Sequence, residues 1–341
     1  MHNKQIALAL ALLAPAAASA QKTHELPATP STVAWGYYWS EAKPVLRIKS
    51  GDRINVHTMI TNSPTGLQRA GVDSLKIQQN LRDIYKEVTG TARGPGGHIL
   101  TGPIYVEGAD SGDVLEVRFL SIHADIGYAY NSFSTRSGFI PEDFTAGKSR
   151  IIQLDTLTNL AHFAEGIEIP PHPFFGSVGV APPPSMGRIN SAPPGIHAGN
   201  LDNKDLVAGT TLFIPVHVAG ALLEIGDGHA GQGNGEVDIT AMETALRGTI
   251  EVIVRKDMHL KWPRGETPTH WIVMGIDSTL VTAAKNAVRE AIAFLVSEKG
   301  MTREDAYMLA SVAVDFNMTE LVDGTVGVHG LIPKSIFTKK K

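Results

Sequence analysis

The stretch TLFIPVHVAGALLEIGDGHAGQGNGE, residues 211–236, joins an apolar half to a polar one. Through Ile225 it is dense in aliphatic and β-branched residues, which predicts two short buried strands joined at Val218-Ala219-Gly220. Beyond that point Asp227, His229, Gln232, Asn234 and Glu236 lie among five glycines, Gly226 to Gly235. So little side-chain bulk lets the backbone turn through positive φ and close around a small ligand. Asp227 and His229 would then leave the end of a buried strand, two residues apart. A carboxylate oxygen beside an imidazole nitrogen suits a divalent ion such as zinc with one position open. On these residues alone, the alternative is a polar turn whose side chains cap one another.

Outward from this stretch the chain continues to read as sheet. Residues 44–57 (PVLRIKSGDRINVH) give strand, turn and strand. Residues 94–109 form a Gly/Pro-rich loop feeding a strand, with a turn at 110–113 and a further strand at 114–122. This second pair reads as a hairpin with Ile104, Val106, Leu115, Val117 and Phe119 facing inward. Strands are also expected at 248–255 and 270–276, and two short ones within 151–168. Residues 67–88 show a helical spacing, and 123–145 form an aromatic, irregular segment suited to a pocket wall or a satellite core. Residues 169–203 hold eight prolines and little periodicity, and read as a functional connection or an interaction arm; a homo-oligomer is expected from it.

Only late in the chain does the period become helical. Ser278 or Thr279 caps a helix over 279–297 that Gly300 stops, and Thr302 caps a second through about Val314. Many strands first and two helices late predict a mainly β, α+β body. The expected form is a β-sandwich-like core with inserted loops and a late two-helix portion, in a single domain over 21–341.

Composition narrows the function. Of 341 residues 43% are hydrophobic and 19% charged, and the formal net charge is −4. That gives no electrostatic case for nucleic acid or an anionic membrane as partner. With no cysteine there is no disulfide, no thiolate nucleophile and no Cys-bound metal. The first twenty residues carry Lys4, an apolar run from Ile6 to Ala18 and the small-x-small pattern Ala18-Ser19-Ala20. They read as a signal peptide cleaved after about Ala20, which predicts a periplasmic or secreted protein.

Four blocks in order then carry a resemblance: TGPIYVEGADSGDVLEV at 101–117, AGNLDNKDLVAGTTLFIPV at 198–216, GDGHAGQGNGEVDITAMET at 226–244 and VGVHGLIPKSIF at 326–337. Together they resemble the acetamidase/formamidase family of short-chain amide hydrolases. The resemblance implies a β-sandwich with inserted parts, hydrolysis of a linear amide C–N bond, and a divalent metal, zinc, in the site. In two respects the chain departs from the family. Where the family loop reads QGDGE, Asn234 replaces the acid, and the leader suggests export where relatives are often cytoplasmic.

An amide needs a strong nucleophile, a stabiliser for the oxyanion and an acid for the departing nitrogen. No cysteine, no GxSxG elbow and no Ser-Ser-Lys segment is present, so metal-activated water is the expected nucleophile. The expected ligands are Asp202, Asp227 and His229. Glu236 is the candidate general base or a further carboxylate ligand. His98 is a candidate proton donor or ligand, or else a loop histidine bonding backbone. Asn200 and Asn234 are candidates for substrate binding, while His57 and His197 are weaker ones. Asp110 and Asp113 read as turn residues. A secreted hydrolase of a larger amide or ester, and a binding protein without turnover, are the competing readings.

Overall fold

The computed structural model describes residues 21–338. The leader read at 1–20 lies outside the described residues. Two sheets face each other. One has nine strands, ordered Thr23–Leu26, Arg53–His57, Leu246–Arg255, Val114–Ala124, Thr211–Pro215, Arg264–Glu266, His270–Asp277, Val326–Pro333 and Asp315–Glu320. The other runs Ala198–Asn200, Phe174–Gly179, Leu223–His229, Ile99–Glu107 and Val33–Trp35, with Leu46–Lys49 also paired to Ile99–Glu107.

Between them lies the main core. Val117, Phe119, Leu212, Ile214, Ile250 and Val252 from the first sheet meet Ile104, Val106, Phe175, Val178, Leu223 and Ile225 from the second. Alternation along each strand sends one set of side chains inward, which produces this two-layer packing. The expected sandwich is present. The long helix Leu280–Lys299 covers the far end of the first sheet, and Arg303–Ala313 packs beside it. Thr279 and Thr302 cap these helices through their side chains, and Gly300 ends the first in a left-handed conformation, φ +66°.

In three places the chain departs from the sequence reading. The pair read as a hairpin, Ile99–Glu107 and Val114–Ala124, belongs to opposite sheets, so the turn at 110–113 crosses the sandwich. The predicted inward residues are buried all the same, because both sheets face one core. The Pro-rich region does not project as an arm. It contains Phe174–Gly179, buried along its whole length and paired antiparallel to both Leu223–His229 and Ala198–Asn200. Prolines obscure the strand because they fall in the connections on either side of it. Finally, Asp227 and His229 sit within the strand Leu223–His229, every residue of which is buried.

A four-stranded sheet, Ile167–Ile169, Leu160–Ala164, Lys148–Asp155 and Tyr128–Phe133, is the inserted part. It carries a small core of Ala129, Ile152, Leu154 and Ala161 that takes in Ala230 and Met242 from either end of the Gly-rich loop. The insert therefore packs on the loop that holds the polar residues.

Candidate active site

The Gly-rich loop closes on itself. Met242 accepts a backbone hydrogen bond from Ala230 and donates one to Gly231, and Thr244 donates to Gly228. Glu243 is pinned by two further bonds exchanged with Tyr130. This pairing returns Glu243 to the side of His229, fourteen residues along the chain from it. On the opposite side, Gly235 exchanges backbone bonds with Thr319 and Leu321, so Glu236 lies against the end of the edge strand Asp315–Glu320 and the bend after it that carries Asp323.

The result is a buried cluster around one imidazole. His229 Nε2 lies 3.2 Å from Asp227 Oδ2, 3.2 Å from Glu243 Oε1 and 3.8 Å from Glu236 Oε1. Its Nδ1 is 3.0 Å from Gln232 Oε1 and 3.8 Å from Asp202 Oδ1. Because Gln232 Nε2 donates to the Asp202 carbonyl at 2.9 Å, its oxygen must face the imidazole, and Nδ1 carries the donated hydrogen. Nε2 is thereby aimed into the carboxylates. Two overlapping triads, Asp202/His229/Glu236 and Asp227/His229/Glu243, each offer ligand atoms within 4.8 Å of one another.

Several observations show that these residues fit a divalent cation. Among the described residues, buried Asp202 Oδ1 and Glu243 Oε2 have no hydrogen-bond partner, and His229 Nε2, though 3.2 Å from two carboxylate oxygens, makes no hydrogen bond of good geometry. Buried polar atoms left in that state cost ~1–3 kcal/mol each. One imidazole among carboxylates is a suitable donor set for zinc. Gly176 leaves room for the cluster: a Cβ there would stand 2.5 Å from Asp202 Oδ1 and 2.8 Å from Asp227 Oδ2. The backbone is strained at the same residues, with φ of +46° at Asp202, +54° at Asp227 and +45° at Glu236. Left-handed conformations at non-glycine residues cost ~1–3 kcal/mol and gather where function demands them.

Burial and charge crowding together shift the buried acids and His229. Burial and the charge of Glu236 push Asp202 well above the carboxylate range. Burial does the same to Glu236, and also raises Glu243 and Asp323. Burial and the charge of Asp323 carry Glu320 up to about 8. Asp227 moves down: burial opposes its ionisation, but His98, His229 and the Thr61 hydroxyl, which donates to Oδ1 at 2.7 Å, outweigh it. Burial disfavours charge on His229, yet Glu243 and Asp227 hold its pKa well above the ordinary value. The cluster thus favours positive charge at its centre.

Asp202, Asp227, His229 and Glu236 converge. His98 donates from Nδ1 toward the Ser191 carbonyl at 3.3 Å and turns Nε2 to Asp227 Oδ2 at 3.8 Å, at the edge of the cluster. Asn200 is engaged within the protein: its amide donates to Asp202 Oδ2 at 2.5 Å and to Asp323 Oδ2 at 2.9 Å, while its oxygen accepts from Ser177 at 2.6 Å. It orients carboxylates. Asn234 lines a neighbouring cavity. His57 pairs with Asp125 at 3.2 Å, and His197 is buried with neither ring nitrogen bonded among the described residues. Asp113 Oδ2 accepts from the Asp110 backbone N–H, as a turn residue does.

The sequence reading missed Glu243, Asp323, Thr61 and Ser177 as site residues. Glu243 lies in the GDGHAGQGNGEVDITAMET block but follows an apolar stretch; the other three had no local signal. Beside the cluster opens a cavity of about 1060 Å³ whose lining includes Glu236 and Gln232 but neither Asp227 nor His229, which lie behind them.

A family model described as the acetamidase/formamidase family matches residues 83–190 and 185–339. The chain belongs to the acetamidase/formamidase family. Its fold is similar to that of an acetamidase from Yersinia enterocolitica, 29% identical with a TM-score of 0.79, covering 95% of each chain. An acetamidase from Bacillus halodurans is 28% identical with a TM-score of 0.78, over 92% of this chain and 98% of that one. A candidate formamidase from Schizosaccharomyces pombe is 26% identical over 49% of this chain and 55% of its own length. The chain thus spans about half the length, or less, of the curated relatives it matches.

Proposed function

We propose that this protein is a zinc-dependent amidohydrolase that cleaves the C–N bond of linear carboxamides such as formamide or acetamide to a carboxylate and ammonia. The observation that carries this is the convergence of Asp202, Asp227, His229, Glu236 and Glu243 on one buried point, with three of them in strained backbone. A bound zinc ion supplies a Lewis acid and lowers the pKa of water to about 7.

The protein groups divide the remaining work. Asp202, Asp227 and His229 would hold the ion, and Glu243 adds a carboxylate on the Asp227 side. Glu236, at the cavity wall and 3.8 Å from His229 Nε2, is poised to take a proton from the attacking water and pass it to the leaving nitrogen. His98 Nε2 faces Asp227 and supports its charge. Gln232 fixes the His229 ring through Nδ1, as metal-binding imidazoles are commonly fixed.

Ammonia release from acetamide by zinc-loaded protein tests the proposal and separates an enzyme from a binding protein. We expect His229→Ala to lose both stoichiometric metal and turnover. Full activity in metal-stripped protein refutes the zinc-dependent reading. Export through the leader is proposed with it, and N-terminal sequencing of periplasmic or secreted protein checks it. Homo-oligomer formation is proposed too: Val281, Tyr307, Met308 and Val312 give the late helices exposed apolar surface, and sedimentation measures it.

A further inference from the structure

The cavity beside the cluster is far larger than the small amides require. At about 1060 Å³ it has the volume share of about 35 waters and reaches the upper range of sites that enclose drug-sized ligands. Glu236 lies in its wall. One part of its wall is apolar: Ile152 and Met242 belong to the small core of the inserted sheet, Phe163 and Ile169 pack half-buried on that core, and Val207 adds to the lining. Lys204, Asp205 and His172 supply polar groups to the lining. A satellite core that served stability alone would close over its apolar side chains. This one leaves them lining a concave wall that leads to a buried carboxylate.

We propose that the substrate is a carboxamide whose acyl group is an apolar chain or ring of about six to ten heavy atoms, seated in this cavity with its amide at Glu236. The inference rests on the amidohydrolase reading and adds the substrate class. The inserted sheet supplies the acyl-binding wall, so specificity comes from a different part of the fold than the chemistry. The reaction balances as a hydrolysis. The oxygen of water joins the carbonyl carbon, the C–N bond breaks with its electron pair going to nitrogen, and nitrogen takes a proton to leave as ammonia. An apolar acyl group displaces water from Phe163, Ile169 and Val207, a gain acetamide cannot make.

The test is kcat/KM for ammonia release by the zinc-loaded full chain on formamide, acetamide, butanamide, hexanamide and phenylacetamide. Each added methylene is expected to raise kcat/KM by roughly fourfold, equivalent to ~0.8 kcal/mol per buried CH₂, so hexanamide exceeds acetamide by about 100-fold or more. Ile169→Trp fills the cavity from its wall and is expected to lower the hexanamide-to-acetamide ratio at least about tenfold. A flat or falling series, with acetamide still hydrolysed, overturns the acyl pocket and leaves amide hydrolysis standing. A ratio untouched by Ile169→Trp overturns the placement of the acyl group. No ammonia from any amide overturns both readings.

Discussion

Replacing Asp202 by asparagine separates a cation site from a merely acidic core. Asp202 Oδ1 lies 3.8 Å from His229 Nδ1, and its triad partner Glu236 offers an oxygen within 4.8 Å. Without a cation, burial and the charge of Glu236 favour the protonated, neutral form of Asp202, so asparagine replaces one neutral polar group with another. The cation-free variant should therefore melt within about 2 °C of the cation-free parent, since 1 kcal/mol moves the Tm of a chain this large by roughly 2 °C. With zinc the two proteins should diverge. Zinc at a thousand times its Kd stabilises the parent by ~4 kcal/mol, or about 6–8 °C. Loss of one anionic ligand should weaken binding at least about 100-fold, because even outer partners of metal ligands are worth 10- to 100-fold. At the same zinc concentration the variant then gains only ~1.4 kcal/mol, or about 2–3 °C. Thermal melts of chelator-treated and zinc-loaded protein, with metal counted by elemental analysis, measure the difference. Equal zinc-dependent shifts in both proteins, or no shift in either, would show that the buried acids do not hold a cation.

Two other perturbations test the surroundings of the cluster. Ser177→Ala removes the hydroxyl that donates to Asn200 at 2.6 Å and leaves a buried amide oxygen unpaired; it should lower stability by ~1–3 kcal/mol and zinc affinity by about 10- to 100-fold, read by urea unfolding and metal competition. His197→Phe tests a buried neutral histidine whose pKa is lowered to about 3, first by burial and then by the charge of His217. The unfolded chain titrates near ~6.5, so between these values it binds the extra proton, and stability present above pH ~6.5 is lost as pH falls. The loss should reach about 2 kcal/mol at pH 5 in the parent and vanish from the variant's pH dependence. Equal losses between pH 7 and pH 5 would contradict the buried-neutral assignment.

Much of the architecture follows from local pattern. Alternating apolar residues in Val114–Ala124 and Thr211–Pro215, and the capped helical period of Leu280–Lys299, specify their own conformations because each reflects neighbours a few positions away. The Asp227/His229 pair and Glu236 were legible for the same reason, since the glycines that make room for them are adjacent in sequence. What the tertiary fold alone decided is which strands share a sheet and which acids share a point. The turn at 110–113 reads identically whether it closes a hairpin or crosses a sandwich, and only burial of both strands against one core selects the crossing. Glu243 reaches His229 through backbone bonds to Tyr130, and Asp323 reaches Asn200 from the connection between the last two strands, more than a hundred residues away. Contacts that close over such distances leave no period in the sequence, because their partners are fixed by sheet pairing across the whole chain.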